Sequence, residues 1–252
     1  MSELFMFDKE HGDCVIGVDE AGRGPLAGAV VASAVYIPKC IEEFSGINDS
    51  KKLFEKKREE IYSIIVEDRY VGVGEASPTE IDDINILNAT FLAMKRALED
   101  LKDNMKLENI KVDLVLVDGN HKIRGYSEYT QKEVIKGDSK SLSIAAASII
   151  AKVTRDRQMI ETHEKYPEYM FNKHKGYGTK LHREKLLIHG GVSNVHRKSF
   201  LGKMFSKKEP EYDLDVVAFL CGANGKIADL GVLENGRPTL KGGDIVFFNS
   251  LR

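Results

Sequence analysis

Short apolar runs alternate with longer amphipathic stretches along this chain, and that alternation predicts an α/β domain. Cys14-Val15-Ile16-Gly17-Val18 is apolar throughout, as a buried strand would be. Ala29 to Ile37 is a second, valine-rich run, and Arg69 to Gly74 is a third, preceded by a charged helical stretch from Phe54 to Val66. Asp113 to Val117 predicts a fourth strand, stopped by Asp118-Gly119-Asn120, and Glu128 to Ile135 contains a fifth. Ser77-Pro78-Thr79-Glu80 is a helix start, with an N-cap serine, proline at the first helical position and glutamate two residues later. That helix is expected to run to about Lys102, burying Ile81, Ile84, Leu87, Phe91, Met94 and Leu98. Leu142 to Thr162 predicts another long helix, whose small apolar run Ile144 to Ala151 should pack closely on a sheet, and a further helix begins near Thr179.

The α/β pattern ends near Lys203. Ser206 to Tyr212 is charged, contains Pro210 and reads as a linker. Beyond it lie an apolar stretch, Asp215 to Cys221, and a hairpin expected to turn at Asn235-Gly236 and return along Gly243 to Phe248. The expected organisation is a domain over 1–205 with a small appended element over 206–252.

Composition narrows the class. Of 252 residues, 42% are hydrophobic and 30% charged, an ordinary globular balance. No run approaches the roughly 18 apolar residues of a membrane span. The N-terminal stretch carries Glu3, Asp8, Glu10 and Asp13, unlike a cationic signal sequence, so a cytoplasmic chain is expected. Three cysteines without CxxC spacing favour neither a disulfide framework nor a zinc site. The net charge is only −2, but its distribution is uneven. Between Ser148 and Lys203 twelve lysines and arginines face five acids, with five of the seven histidines. A basic stretch on an otherwise acidic chain suits a polyanionic partner, although a solvated helical face would look the same.

The candidate chemistry sits where strands end. Asp19 and Glu20 follow one apolar strand, Asp118 another, and Asp138 a third, at the rim where α/β sheets place their sites. Spacing alone does not separate Asp138 from Asp156, which lies beside Arg155 and Arg157 and suits an ion pair with them. Clustered carboxylates repel unless a cation joins them, and hard ions such as Mg²⁺ or Mn²⁺ take oxygen ligands. Two such ions about 3.5–4 Å apart would hold both oxygens of an in-line phosphoryl displacement. Neighbours on a regular strand point to opposite faces, so Asp19 and Glu20 can both contribute only if the strand bends or a backbone carbonyl serves. Gly22-Arg23-Gly24-Pro25-Leu26-Ala27 also fits a dinucleotide-binding fingerprint. That reading fails on three counts: two acids precede it, Pro25 lacks the amide a phosphate needs, and a strand follows instead of a helix.

Taken together, these blocks resemble ribonuclease HII. The opening segment Val18 to Gly28 carries the resemblance, with Asn48-Asp49-Ser50-Lys51-Lys52-Leu53, Ile84-Asn85-Ile86-Leu87, Ala89-Thr90, Val117-Asp118-Gly119-Asn120 and Lys136-Gly137-Asp138-Ser139. Ser143 to Asp156, His174-Lys175-Gly176-Tyr177-Gly178-Thr179 and His196-Arg197-Lys198-Ser199-Phe200 continue it, in family order, over about residues 13 to 203. The resemblance implies a ribonuclease H-like mixed sheet flanked by helices. It implies hydrolysis of RNA in RNA–DNA hybrids and incision 5′ of a ribonucleotide within duplex DNA, with Mg²⁺ or Mn²⁺ as cofactor. It implies Asp19, Glu20, Asp118 and Asp138 as catalytic acids and metal ligands. Gly22, Arg23 and Gly24 correspond to the loop that recognises the ribose 2′-hydroxyl, and Tyr177 to a tyrosine packed on the following deoxyribose. Lys51 and Lys152 suit phosphate contacts. The sister ribonuclease HIII family has lysine for the central arginine and a longer N-terminal region, so Arg23 favours type 2. A monomer without membrane association is expected. Two other readings stay open: another two-metal phosphoesterase that does not select ribose, and a non-catalytic nucleic-acid module.

Overall fold

The computed structural model describes residues 2–47, 53–67, 70–106 and 110–205, and strands at 219–221, 227–230, 232–234, 237–239 and 244–246. The chain divides into two compact units. The first comprises Met1–Arg23 and Ala29–Gln158, and the second comprises Gly24–Gly28 and Met159–Arg252.

The first unit is built on a five-stranded sheet. Its strands are β1 (Val15–Ala21), β2 (Val30–Tyr36), β3 (Val71–Ala76), β4 (Leu114–Asp118) and β5 (Gln131–Val134), in the order β3-β2-β1-β4-β5. β1, β2 and β3 pair antiparallel, whereas β4 runs parallel to β1 and to β5. The helices are α1 (Glu3–Lys9), α2 (Glu55–Glu67), α3 (Pro78–Lys106) and α4 (Leu142–Lys165), the last of which continues into the second unit. β1 is apolar at nearly every position because helices cover both of its faces.

Glycines and alanines set the spacing of these layers. A Cβ on Gly17 would sit 2.1 Å from the backbone of Ser143, so α4 lies directly on β1. Cβ atoms on Gly72 and Gly74 would strike the carbonyls of Ala97 and Ala93, which brings α3 equally close to β3 on the opposite face. Ala145, Ala146, Ala147, Ile149 and Ile150 of α4 are buried with Ile61 and Ile65 of α2 and Leu4 and Phe5 of α1. The small apolar run thus does what its composition predicted.

The α3 start is the expected reciprocal cap. Ser77 N donates to Glu80 Oε2 at 2.8 Å, and Glu80 N donates to Ser77 Oγ at 3.2 Å. The helix is not continuous, however. It breaks at Asn85, whose φ of 66° is left-handed. Asn85 Oδ1 accepts from the amides of Leu87 and Asn88 and so caps a second helical segment. An asparagine inside an apolar 3.6-residue rhythm is a cap that periodicity overlooks, and Ile84, expected to be buried, is exposed at the break. Arg96 grips Glu80 across the break with two hydrogen bonds, holding the Glu80 carboxyl down at about 2.

The second unit holds the end of α4, α5 (Phe171–His174), α6 (Lys180–His189) and α7 (Lys198–Phe205). α6 starts where predicted, with Thr179 Oγ1 accepting from His182 N. The five-residue piece Gly24–Gly28 is stitched into this unit. Leu26 N donates to Gly176 O, Gly28 N to Val195 O, and Arg197 N to Leu26 O, at 2.8, 2.8 and 2.9 Å. Ala27 is fully buried with Met159, Tyr169, Phe171, Leu186 and Val192.

Further strands follow: β6 (Phe219–Cys221), β7 (Ile227–Leu230), β8 (Val232–Glu234), β9 (Arg237–Thr239) and β10 (Asp244–Val246). β8 and β9 form the hairpin, with Glu234 opposite Arg237; Asn235, Gly236 and the predicted linker lie outside the described residues. The expected return along Gly243 to Phe248 is incorrect. Arg237–Thr239 takes the pairing with Val232–Glu234, and β10, within the expected return, pairs with β6 instead.

Candidate active site

Three of the four predicted acids converge at the end of the central strands. Asp19 and Glu20 lie on β1, and Asp118 ends β4. The parallel register places Val18 beside Val117, so Asp118 falls next to Asp19. Gly137 N donates to Asp118 Oδ1 at 2.7 Å and fixes that carboxylate. A Cβ on Gly137 would lie 2.5 Å from Ile144 Cδ1 and 3.1 Å from Asp118 Oδ1, so a side chain here would have to displace both. Asp138, buried, follows in the short turn Gly137–Ser139.

The expected bend at Asp19-Glu20 is absent. β1 keeps a regular ladder to Ala21, with Asp19 opposite Ser33 and Glu20 opposite Ala32. Asp19 therefore shares the α4 face, where its carboxylate takes a hydrogen bond from Ser148. Glu20 shares the α3 face and lines a pocket with Arg23, Leu87, Thr90, Phe91, Met94 and Asp118. The two acids flank one strand end instead of sharing one side, which leaves the backbone-carbonyl alternative in place.

The electrostatics are unfavourable as they stand. Burial raises the Asp19 carboxyl well above its ordinary 3.8, and the charges of Glu20 and Asp118 push it further; the backbone amide of Glu20, 2.7 Å from Oδ1, offsets part of this. Burial also raises Glu20, although Arg23 Nη1, 3.2 Å from Glu20 Oε1, pulls the other way. Among the described residues no three Asp, Glu, His or Cys side chains are already arranged around a metal position. The donor set is nonetheless all oxygen, with Asp19 and Asp138 buried and Glu20 and Asp118 half-buried, which fits a hard divalent cation.

The glycine loop divides into two different glycines. Gly22 has φ 98°, and a Cβ there would lie 2.2 Å from Nε of Arg155, a fully buried guanidinium that also donates to Ala29 O. Gly22 is therefore required by packing. Gly24 has open space where a Cβ would sit. β2 follows this loop as a strand paired antiparallel with β1, which closes the dinucleotide-binding reading.

The remaining predicted residues are dispersed. Tyr177 lies in the second unit, on the loop before α6, and is 41% exposed. Lys152 is ion-paired with Asp156 at 2.6 Å. Asp156 thus pairs with Lys152 and not, as expected, with Arg155 or Arg157; the i,i+4 spacing on α4 puts Lys152 on its face, while Arg157 reaches Glu59. Lys51 lies outside the described residues. Sequence reading missed Ser148, Arg155 and the α3 wall of Leu87, Thr90, Phe91 and Met94. The wall's spacing is helical, but nothing in it distinguishes a pocket lining from core.

The family model for ribonuclease HII matches residues 16–203. Ribonuclease HII of Fusobacterium nucleatum subsp. nucleatum is 57% identical over 206 residues, covering 82% of this chain and 94% of that one. The crystal structure of ribonuclease H2 from Pyrococcus horikoshii OT3 superposes with a TM-score of 0.60 at 30% identity, covering 77% of this chain and all of that one. Bst-RNase HIII in complex with Mn²⁺ superposes at 0.58 with 18% identity, over 73% and 72% of the two chains, and shares the fold. With most of its length inside that family model, its fold superposing on a solved relative and its acids gathered at the ends of the central strands, the chain belongs to the ribonuclease HII family and is a ribonuclease H endonuclease.

Proposed function

We propose that this chain hydrolyses the RNA strand of RNA–DNA hybrids and incises duplex DNA on the 5′ side of an embedded ribonucleotide, leaving 5′-phosphate and 3′-hydroxyl ends. The observation that carries the reading is the meeting of Asp19, Glu20 and Asp118 at one strand end, beside the Gly22-Arg23-Gly24 loop. Asp19, Glu20, Asp118 and Asp138 are the catalytic acids and the ligands of Mg²⁺ or Mn²⁺, two ions in the reactive complex. When bound, the ions supply a hydroxide-generating and leaving-oxygen-stabilising charge. A Mn²⁺ complex of a structural neighbour, Bst-RNase HIII, supports that metal class.

The protein's own groups do the selecting. Gly137 N orients Asp118, and Ser148 with the Glu20 amide orients Asp19. Arg23 neutralises Glu20 until a phosphate competes for its guanidinium. Open space at Gly24 admits a ribose edge, the 2′-hydroxyl being the group that marks RNA. The exposed Tyr177 ring stacks on the next, deoxy sugar, and Lys51 and Lys152 hold the backbone. Residues 206–252 form an appended element outside the catalytic domain of 1–205, and the protein works as a cytoplasmic monomer. No helix among the described residues is long and apolar enough to cross a membrane.

The test is a DNA duplex with one ribonucleotide, incubated with and without Mn²⁺. One metal-dependent nick 5′ of the ribonucleotide is expected. Degradation from the ends, or binding without cutting, overturns the proposal.

A further inference from the structure

The second unit contains a buried histidine cluster that the chemistry above does not use. His174, His182 and His196 are all buried. The rings of His174 and His182 stack 4.2 Å apart, 14° from parallel, and Phe171 packs edge-on against both. Burial lowers all three, His182 to about 4 and His196 to about 3, so each is neutral at physiological pH and each ring carries a single proton.

Hydrogen-bond partners fix where those protons are. Val192 N donates to His196 Nδ1 at 2.9 Å, so that nitrogen is bare and the His196 proton is on Nε2. It points at His182 Nε2, 3.1 Å away, which must accept. His182 then carries its proton on Nδ1, the less common tautomer, and donates it to the Tyr177 carbonyl at 3.0 Å. The network assigns the whole chain in one direction, from the Val192 amide through two imidazoles to Tyr177 O.

The same loop is held at its other polar atoms. Gly176 N donates to His174 Nδ1 and Gly176 O accepts from Leu26 N. Tyr177 N donates to His174 O, and Tyr177 O also accepts from Thr179 N. Gly176 has φ 82°, and a Cβ there would lie 2.5 Å from Ala27 O, so the loop is pressed against the segment that continues the Gly22-Arg23-Gly24 motif. Every backbone N and O of Gly176 and Tyr177 is engaged, while the Tyr177 ring stays exposed.

We propose that His182 is a positioning residue for Tyr177, with His196 setting its tautomer, and that the pair fixes where the Tyr177 ring stands for reading an RNA-to-DNA junction. This rests on the reading that Tyr177 packs on the deoxyribose. A donor lost beneath the Tyr177 carbonyl shifts the ring without removing it, and a displacement of about 1 Å is enough to cost tenfold or more in a positioned reaction.

The test compares kcat/KM on a single-ribonucleotide duplex with kcat/KM on an all-RNA–DNA hybrid, in Mn²⁺, for the wild type, His182→Phe, His182→Asn and Tyr177→Ala. His182→Phe keeps the ring but not the donor, and should lower the ratio about tenfold. His182→Asn restores a donor near the Nδ1 position and should recover most of it. A parallel loss on both substrates, or an unchanged ratio, with Tyr177→Ala still lowering it, overturns the positioning role alone. An unchanged ratio in Tyr177→Ala overturns the junction reading and this inference with it. Nitrogen-15 NMR of the wild-type imidazoles needs no variant to fold: protons on His182 Nδ1 and His196 Nε2 are expected, and a proton on His182 Nε2 overturns the chain.

Discussion

The acidic strand end of the first unit and the histidine cluster of the second are both buried polar sites, yet they are built on opposite principles. Around Asp19 like charges accumulate, and burial with Glu20 and Asp118 raises its carboxyl. Around His182 each lone pair meets a proton, and charge is excluded altogether. The first site is incomplete without something positive. The second is complete as folded, and a proton added to it does damage. Reactive sites carry such local stress, while supporting networks are satisfied.

The sharpest way to break this comparison is Asp19→Asn. Cleavage should fall about a thousandfold, the several kcal/mol that metal-bound charge contributes. Because the raised carboxyl of Asp19 disfavours the folded state as pH rises above its ordinary value, the same variant should melt higher than wild type in EDTA at pH 7. A lower melting temperature would mean that the acids are not in conflict. Next in size is a pair of glycines. Gly22→Ala should cost at least about 2 kcal/mol in urea unfolding, from left-handed strain and collision with Arg155. Gly24→Ala should cost less than about 0.5 kcal/mol yet slow nicking of single-ribonucleotide duplexes. Equal unfolding midpoints would erase the distinction between the two.

The histidine cluster is tested by acid. His182 and His196 sit at about 4 and about 3, below the 6.5 of an ordinary histidine, so the unfolded chain binds protons first. Their contribution is whole above pH 6.5 and is lost as pH falls toward those values, by up to about 1.4 kcal/mol per pH unit for each ring. Urea midpoints between pH 7 and 5 measure the slope, which His182→Phe should reduce; a flat wild-type profile contradicts it. A last test concerns the α3 wall. Asn85→Ala should destabilise by about 1 kcal/mol through the lost cap, and Asn85→Gly by a few tenths, both readable as shifts in melting temperature.

All five strands of the main sheet and its three longest helices were legible in the sequence, because buried strands and capped amphipathic helices write their periods directly. The capping pair Ser77 and Glu80 is a local signal and appears as expected. Asn85 was hidden by the apolar rhythm around it, and the side of β1 that each acid takes required the register to Ser33 and Ala32. The β8–β9 hairpin was wrong in its returning strand, Arg237–Thr239 pairing where Gly243 to Phe248 was expected, since a dipeptide marks a reversal without saying where the pairing resumes. His182 and His196 looked like part of a basic stretch. Their neutral chain depends on residues 14 apart meeting ring to ring, which no local pattern encodes.

The second unit has a further consequence, for inheritance. It draws Gly24–Gly28 from near the start of the chain and everything else from Met159 onward. Ala27 fills its core, and Leu26 and Gly28 complete its hydrogen bonding. A genetic crossover at any single point between Gly28 and Met159 would join a core residue from one parent to a cavity shaped by the other. Homologous recombination between distant relatives should therefore preserve this gene as one indivisible block, although its product contains two compact bodies.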